Sequence, residues 1–172
     1  MNFRKASIKD LERLYRFYNI VIDHQQYDLY GAGWTKDVYP SFNDLKVHLE
    51  NDHVYILEEE GQIIGSGIIS LKEDDMYKKA KWSKAFEDEE IAVFHLFAVH
   101  PEHRGRGFGS LLLKHIIEKT KDTSKAIHMD VVKGNDNARA MYLNNGFVSI
   151  GDFQVYYEDT GDIIVELMEY VY

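Results

Sequence analysis

The sequence predicts an α/β (α+β) fold, one domain over residues 1–172, with a mixed twisted sheet of about seven strands flanked by about four helices. Three observations predict it. The apolar run Ile91–Val99, a helical stretch over 107–121 and a second strand-like run, Ala126–Val132, form a β-α-β unit. Such a crossover implies parallel pairing, with the loop after the first strand at a ligand-binding edge. Two strand pairs with turn signals between them, 53–71 and 147–172, imply antiparallel hairpins on the same sheet. Two stretches near the N-terminus repeat apolar residues at helical spacing behind Ser-x-x-Asp starts.

Taken in order, Asn2–Ala6 reads as a short strand. Ser7 and Asp10 offer a capping pair, and Ile8, Leu11, Leu14, Tyr15, Tyr18, Val21 and Ile22 follow at helical spacing, predicting a helix over 8–24. Residues 24–40 keep no period and read as an ordered loop. Ser41 and Asp44 repeat the cap ahead of Phe42, Leu45 and Leu49, a second, short helix. His53–Glu58 and Gln62–Leu71 flank Glu59-Glu60-Gly61 as a hairpin. Residues 72–90 hold five lysines and seven acids without a period, a solvated excursion rather than a second domain. After the β-α-β unit, 135–145 reads as a helix stopped by Gly146. Phe147–Tyr157 and Asp162–Tyr172 close the chain as a hairpin around Asp159-Thr160-Gly161.

Composition narrows the function. The 20 Lys+Arg against 29 Asp+Glu give a net charge of −9. Nucleic-acid binding draws its affinity from phosphate neutralisation, so an acidic chain argues against it. The absence of cysteine removes disulfides, thiolate zinc sites and cysteine nucleophiles. The N-terminal MNFRKASIKDLERLY has no apolar signal core, and no run has transmembrane length. A cytoplasmic protein without membrane contact is the expectation.

The most informative stretch is HPEHRGRGFGSLLLKHIIEK, His100 to Lys119, where Gly105, Gly107 and Gly109 precede an amphipathic helix. A helix start presents unpaired N–H groups and the positive end of the macrodipole. Glycines let the preceding amides converge on one anion without a side chain in the way. Arg104 and Arg106 add charge at the rim, so a pyrophosphate fits. A nucleotide-triphosphate loop is excluded because no lysine precedes Ser110, and the spacing is not that of a dinucleotide fingerprint. His100 and His103 have the spacing of a metal pair, but nothing else points to a metal.

Arg104-Gly105-Arg106-Gly107-Phe108-Gly109 resembles the Arg/Gln-x-x-Gly-x-Gly/Ala turn of the GNAT superfamily, the acyl-CoA-dependent N-acetyltransferases. Asn135-Asp136-Asn137-Ala138-Arg139-Ala140-Met141-Tyr142-Leu143-Asn144-Asn145-Gly146-Phe147 is similar to that family's later Asn-x-x-Ala-x-x-x-Tyr-x-x-x-Gly-Phe motif. The two lie in order with one strand between them, over residues 91–147. The resemblance implies an acetyl-CoA:amine N-acetyltransferase acting on a small molecule or peptide; a non-catalytic acyl-CoA-binding module on the same fold is the alternative. It implies that Arg104 to Gly109 bind the coenzyme A pyrophosphate, with Ser110 adding a hydroxyl. It implies that the backbone of Phe97, Ala98 and Val99 pairs with the pantetheine arm between parting strands.

On the second motif, the resemblance implies that Asn135 hydrogen-bonds the cofactor, Ala138 lets it pass and Tyr142 is the general acid. Asn135, Ala138 and Tyr142 are expected along one helix face. His95, two residues before Phe97, is expected on the same strand face and is the candidate proton acceptor. Trp34, Tyr39 and Trp82 fall in segments that could line an acceptor pocket, and Glu87–Glu90 could attract a cationic amine. Apolar residues on both faces of Asp162–Tyr172 suit pairing into a homodimer.

Overall fold

The computed structural model describes residues 1–29, 32–72, 77–157 and 161–172. Seven strands form one sheet: β1 (Asn2–Lys5), β2 (His53–Glu59), β3 (Gln62–Ser70), β4 (Ile91–Val99), β5 (Ala126–Val132), β6 (Val148–Tyr157) and β7 (Gly161–Val171). Their spatial order is β1-β2-β3-β4-β5-β7-β6. Only β4 and β5 pair in parallel; every other neighbour pair is antiparallel. Among the described residues there are four α-helices: α1 (Leu11–His24), α2 (Phe42–Asn51), α3 (Phe108–Thr120) and α4 (Asp136–Asn144). None is long and apolar enough to cross a membrane.

Local chemistry sets the element ends. The Ser41 hydroxyl accepts from Asp44 N–H at 3.2 Å while Ser41 N–H donates back to the Asp44 carboxylate at 2.8 Å, a reciprocal cap that starts α2. Ser7 N–H donates to Asp10 at 2.9 Å, but Ile8–Asp10 wind as a 3-10 turn and α1 begins at Leu11. That tighter turn rotates Ile8 out of the predicted stripe to 49% exposure, and Phe17 is buried on α1 alongside Leu14 and Tyr18. The expected hairpin turn at Asp159 and Thr160 lies outside the described residues, as does part of the charged excursion after Lys72.

The sheet carries a core on each face. Helices α3 and α4 cover one face, where Leu112, Leu113, Ile116 and Tyr142 meet Ile69, Ala92, Phe94, Ile127, Met129 and Met168. Helices α1 and α2 cover half of the other face through Leu14, Phe17, Tyr18 and Leu45 against Ile56, Ile68, Leu96 and Ala98. The remaining half of that face holds Val93, Val165 and Leu167, covered by Tyr77, Trp82 and Phe86 of the charged excursion. The excursion's aromatics are therefore structural, although its lysines and acids gave it no period. Trp82 stacks at 3.6 Å on His128, a buried histidine whose register partner is Glu169.

Candidate functional site

The cleft opens where the parallel pair fails. Strands β4 and β5 are in register only over Ile91–Val93 with Ala126–His128. Past that point β4 carries a bulge: Ile68 faces His95 and Ser66 faces Ala98, so two residues of β4, Leu96 and Phe97, answer the single Gly67 of β3. Leu96 sits at φ 48°, a left-handed conformation unusual for a branched side chain. The Tyr18 hydroxyl donates to the Leu96 carbonyl at 2.6 Å and fixes the kink. The extra residue bends β4 away from β5, and a cleft of about 1610 Å³ runs along the gap. That exceeds the ~300–1,000 Å³ of an ordinary small-molecule pocket and has room for two ligands.

The bulge also changes which side chains share a face. Phe94 and Phe97 pack with the α3/α4 core, whereas Leu96 and Ala98 join the α1/α2 core. His95 is opposite Ile68 and so lies on the α1/α2 side. The expectation that His95 and Phe97 share a face is therefore wrong. An inserted residue reverses the alternation between them. Both still line the cleft, from opposite sides of the sheet.

At one mouth of the cleft is the glycine turn. Gly105 and Gly107 have φ 73° and 82°, and a Cβ built on either would meet nothing within 4 Å. Gly107 caps α3 with its backbone, so the expected helix start moves from 107 to Phe108. Among the described residues none accepts a hydrogen bond from the amides of 105–110. This unblocked set of donors at a helix start suits a phosphate or pyrophosphate. Gly109 is different: its Cβ would meet the Met141 sulfur at 2.8 Å, so here glycine permits close packing of α3 on α4. The Ser110 hydroxyl accepts from Asn145 at 3.2 Å and keeps its proton to donate. Arg104 does not stand free at the rim: its guanidinium holds the Asp28 carboxylate at 2.7 and 2.9 Å.

Helix α4 forms the far wall. Asn135 is its N-cap, not a member of its first turn, and its side-chain oxygen accepts from Ala138 N–H at 3.3 Å. The Asn135 amide nitrogen remains a donor at the cleft edge. Ala138 is partly buried against the core beside it. Tyr142 is 4% exposed, its ring edge-on to Phe97 at 6.0 Å and Phe147 at 5.7 Å. Burial, reinforced by the negative charge of Asp130, pushes the phenol above its ordinary value. It is fully protonated at neutral pH, as a proton donor requires.

Asp130 and Tyr77 were missed by sequence reasoning. Asp130 lies on β5 two residues beyond the last paired position, on the side away from Met129 and Val131, and the Tyr77 hydroxyl donates to it. A lone carboxylate in the apolar run AIHMDVV was the available signal. Tyr77 came from a segment with no readable period. Trp34, Tyr39 and Val38 of the 24–40 loop also line the cleft, whereas Trp82 belongs to the core beneath the excursion. Glu87–Glu90 cap their own 3-10 turn, and Glu90 pairs with Lys125. His100 is buried, accepts from Glu102 N–H at 3.4 Å, and burial lowers its pKa.

The acetyltransferase (GNAT) family model matches residues 12–147. Over its whole length the chain superposes on a ribosomal-protein-alanine N-acetyltransferase from Brucella melitensis, with 21% identity, 100% of both chains covered and a TM-score of 0.74. A GNAT-family acetyltransferase from Streptococcus pneumoniae matches at 22% identity, 99% of each chain and a TM-score of 0.71. Salmonella typhimurium yncA, solved with its cofactor acetyl-CoA, matches at 17% identity over 99% of this chain and 92% of its own, with a TM-score of 0.72.

Proposed function

The chain belongs to the GNAT family of acetyltransferases, and from that premise we propose that it moves the acetyl group of acetyl-CoA to a primary amine of a small molecule or peptide, within the β4–β5 cleft. The observation that carries this reading is the glycine turn standing at the mouth of a gap between two parallel strands. A pyrophosphate fits the open amides of Gly105, Gly107, Phe108 and Gly109, with Arg106 beside them and Ser110 and Asn135 able to donate. The gap leaves the β4 backbone at Phe97, Ala98 and Val99 available to an extended pantetheine arm, in the manner of strand addition. Ala138 presents no bulk to that path.

Acetyl-CoA supplies the thioester when bound. The chain's own groups handle orientation and protons. Backbone N–H groups of bulged β4 suit the developing oxyanion. The amine enters from the α1/α2 side, past Trp34 and Tyr39, and an ammonium must first lose a proton, which the open cleft passes to solvent. As the nitrogen attacks the carbonyl carbon, the C–N bond forms and the nitrogen becomes acidic. His95 or Asp130, both on that side of the sheet, accepts its second proton. The C–S bond breaks, and Tyr142 delivers a proton to sulfur; the proton taken from nitrogen then restores the phenol through solvent. The sum is amide, thiol and one proton released.

Calorimetric titration with acetyl-CoA, with ATP and NAD as controls, tests the reading. Micromolar binding that disappears in Gly107→Asp, where a carboxylate enters the phosphate space, is the expected result. A folded protein that does not bind acetyl-CoA overturns the reading.

A further inference from the structure

Arg104 belongs to the glycine turn by sequence, yet its guanidinium is engaged elsewhere. It donates to both oxygens of Asp28, at 2.7 and 2.9 Å, and through Nε to the Val99 carbonyl at 3.3 Å. Asp28 follows the 3-10 turn Gln25–Tyr27 at the end of α1, where the opposite wall of the cleft begins. Gln25, three residues earlier, donates to the Trp34 carbonyl at 2.9 Å. The ion pair therefore joins the glycine turn to the end of α1, where Gln25 holds the Trp34 carbonyl. Both partners line the cleft, and neither is deeply buried, with Arg104 36% and Asp28 22% exposed.

A carboxylate and a phosphate present the same kind of oxygens to a guanidinium. The backbone amides of the turn have no such internal occupant among the described residues, so Arg104 is the one donor of this turn that arrives already neutralised. A partly exposed pair of this kind is held weakly enough to be exchanged for a more highly charged anion. We propose that Asp28 is an intramolecular competitor for the phosphate site: it holds Arg104 until a bound pyrophosphate takes the guanidinium. The inference rests on the acetyl-CoA reading of the cleft and adds to it a regulator within the chain.

The test is a cycle of four proteins: wild type, Asp28→Asn, Arg104→Gln and the double variant, each titrated with acetyl-CoA by calorimetry. Asp28→Asn removes the competing charge while keeping the side-chain shape. It is expected to tighten acetyl-CoA binding about fivefold, the worth of one ion pair a few ångströms apart in water, which the ligand no longer has to displace from Arg104. In the Arg104→Gln background the same substitution is expected to change binding less than twofold, because the competition acts through Arg104. An unchanged or weakened affinity in Asp28→Asn overturns the proposal. So does equal tightening in both backgrounds, which is a general field effect. A parallel arm uses inorganic pyrophosphate. If acetyl-CoA fails to bind any of the four while pyrophosphate shows the Arg104-dependent tightening, the competition stands and the acetyl-CoA reading falls. If pyrophosphate and acetyl-CoA both fail to bind, the competition falls as well.

Discussion

The hydroxyl of Tyr18, fully buried on α1, donates at 2.6 Å to the carbonyl of Leu96, the β4 residue held at φ 48°. One helix thus stabilises the backbone conformation that parts β4 from β5. A carbonyl turned out of the β3–β4 ladder by the bulge would otherwise be buried without a donor, at a cost of roughly 1–3 kcal/mol. Tyr18→Phe is expected to lower stability by about 1–2 kcal/mol, a Tm drop of roughly 2–8 °C for a chain of this size. Acetyl-CoA affinity should weaken together with Tm, since Phe97–Val99 follow directly on the kink. Thermal melts and titration on the same samples check both; an unchanged Tm would mean that the bulge holds itself.

Tyr142→Phe separates proton donation from binding. The ring contacts to Phe94, Phe97 and Phe147 survive in phenylalanine, so packing is retained. Loss of a general acid costs about 10²–10⁴-fold in turnover. The expected result is a kcat drop in that range with an acetyl-CoA Kd within threefold of wild type. Equal loss of both would assign Tyr142 to the core.

The proton acceptor is decided by a second pair of variants. Asp130→Asn keeps an oxygen for the Tyr77 hydroxyl, and His95→Gln keeps a polar group opposite Ile68. Removal of the group that takes the amine proton is expected to lower kcat by about 10²-fold or more, and removal of the other by less than tenfold. Steady-state rates on an amine panel make the comparison, with acetyl-CoA binding as the control for folding. Little loss in either variant would move the proton directly to water.

Helices α3 and α4, the β-α-β unit and both hairpins were legible because each has a short-range signature: a period, a cap or a glycine turn. The glycine turn was legible for the same reason, as its left-handed backbone and open amides follow from the local sequence. What escaped depends on contacts across the sheet. The bulge at Leu96 has no glycine to announce it, so His95 is expected on the face of Phe97 and lies on the other. Arg104 looked like a free charge beside the glycine turn because nothing in the sequence links it to Asp28, 76 residues away. Tyr77 and Trp82 sit among lysines and acids, and only the folded sheet reveals that they cover its third core.

At the N-terminal edge β1, α1 and β2 meet in a network of charges. Arg4 donates to Asp10 at 2.7 and 2.9 Å and to Glu58 at 2.7 Å, and Arg13 reaches the same two carboxylates at 3.0 and 2.7 Å. Asp10 is 4% exposed, so its charge is held by these donors rather than by water. Hydrogen bonding from Arg4 holds Asp10 well below the usual carboxylate range and, with Arg13, lowers Glu58 from 4.5 to about 2. Both groups are depressed in the folded state, so the unfolded chain binds more protons in acid. Their stabilisation is complete above the unfolded values. For Glu58 it is lost as pH falls from 4.5 towards about 2. Glu58→Gln is expected to cost about 1–2 kcal/mol at pH 7, less than a fully buried pair because the arginines remain partly solvated. Near pH 2.5 the cost should shrink, since wild type has then lost most of the same interaction. Melts of the two proteins at pH 7, 4 and 2.5 read the difference directly. A gap that persists undiminished into acid would mean that Glu58 contributes by shape and not by charge.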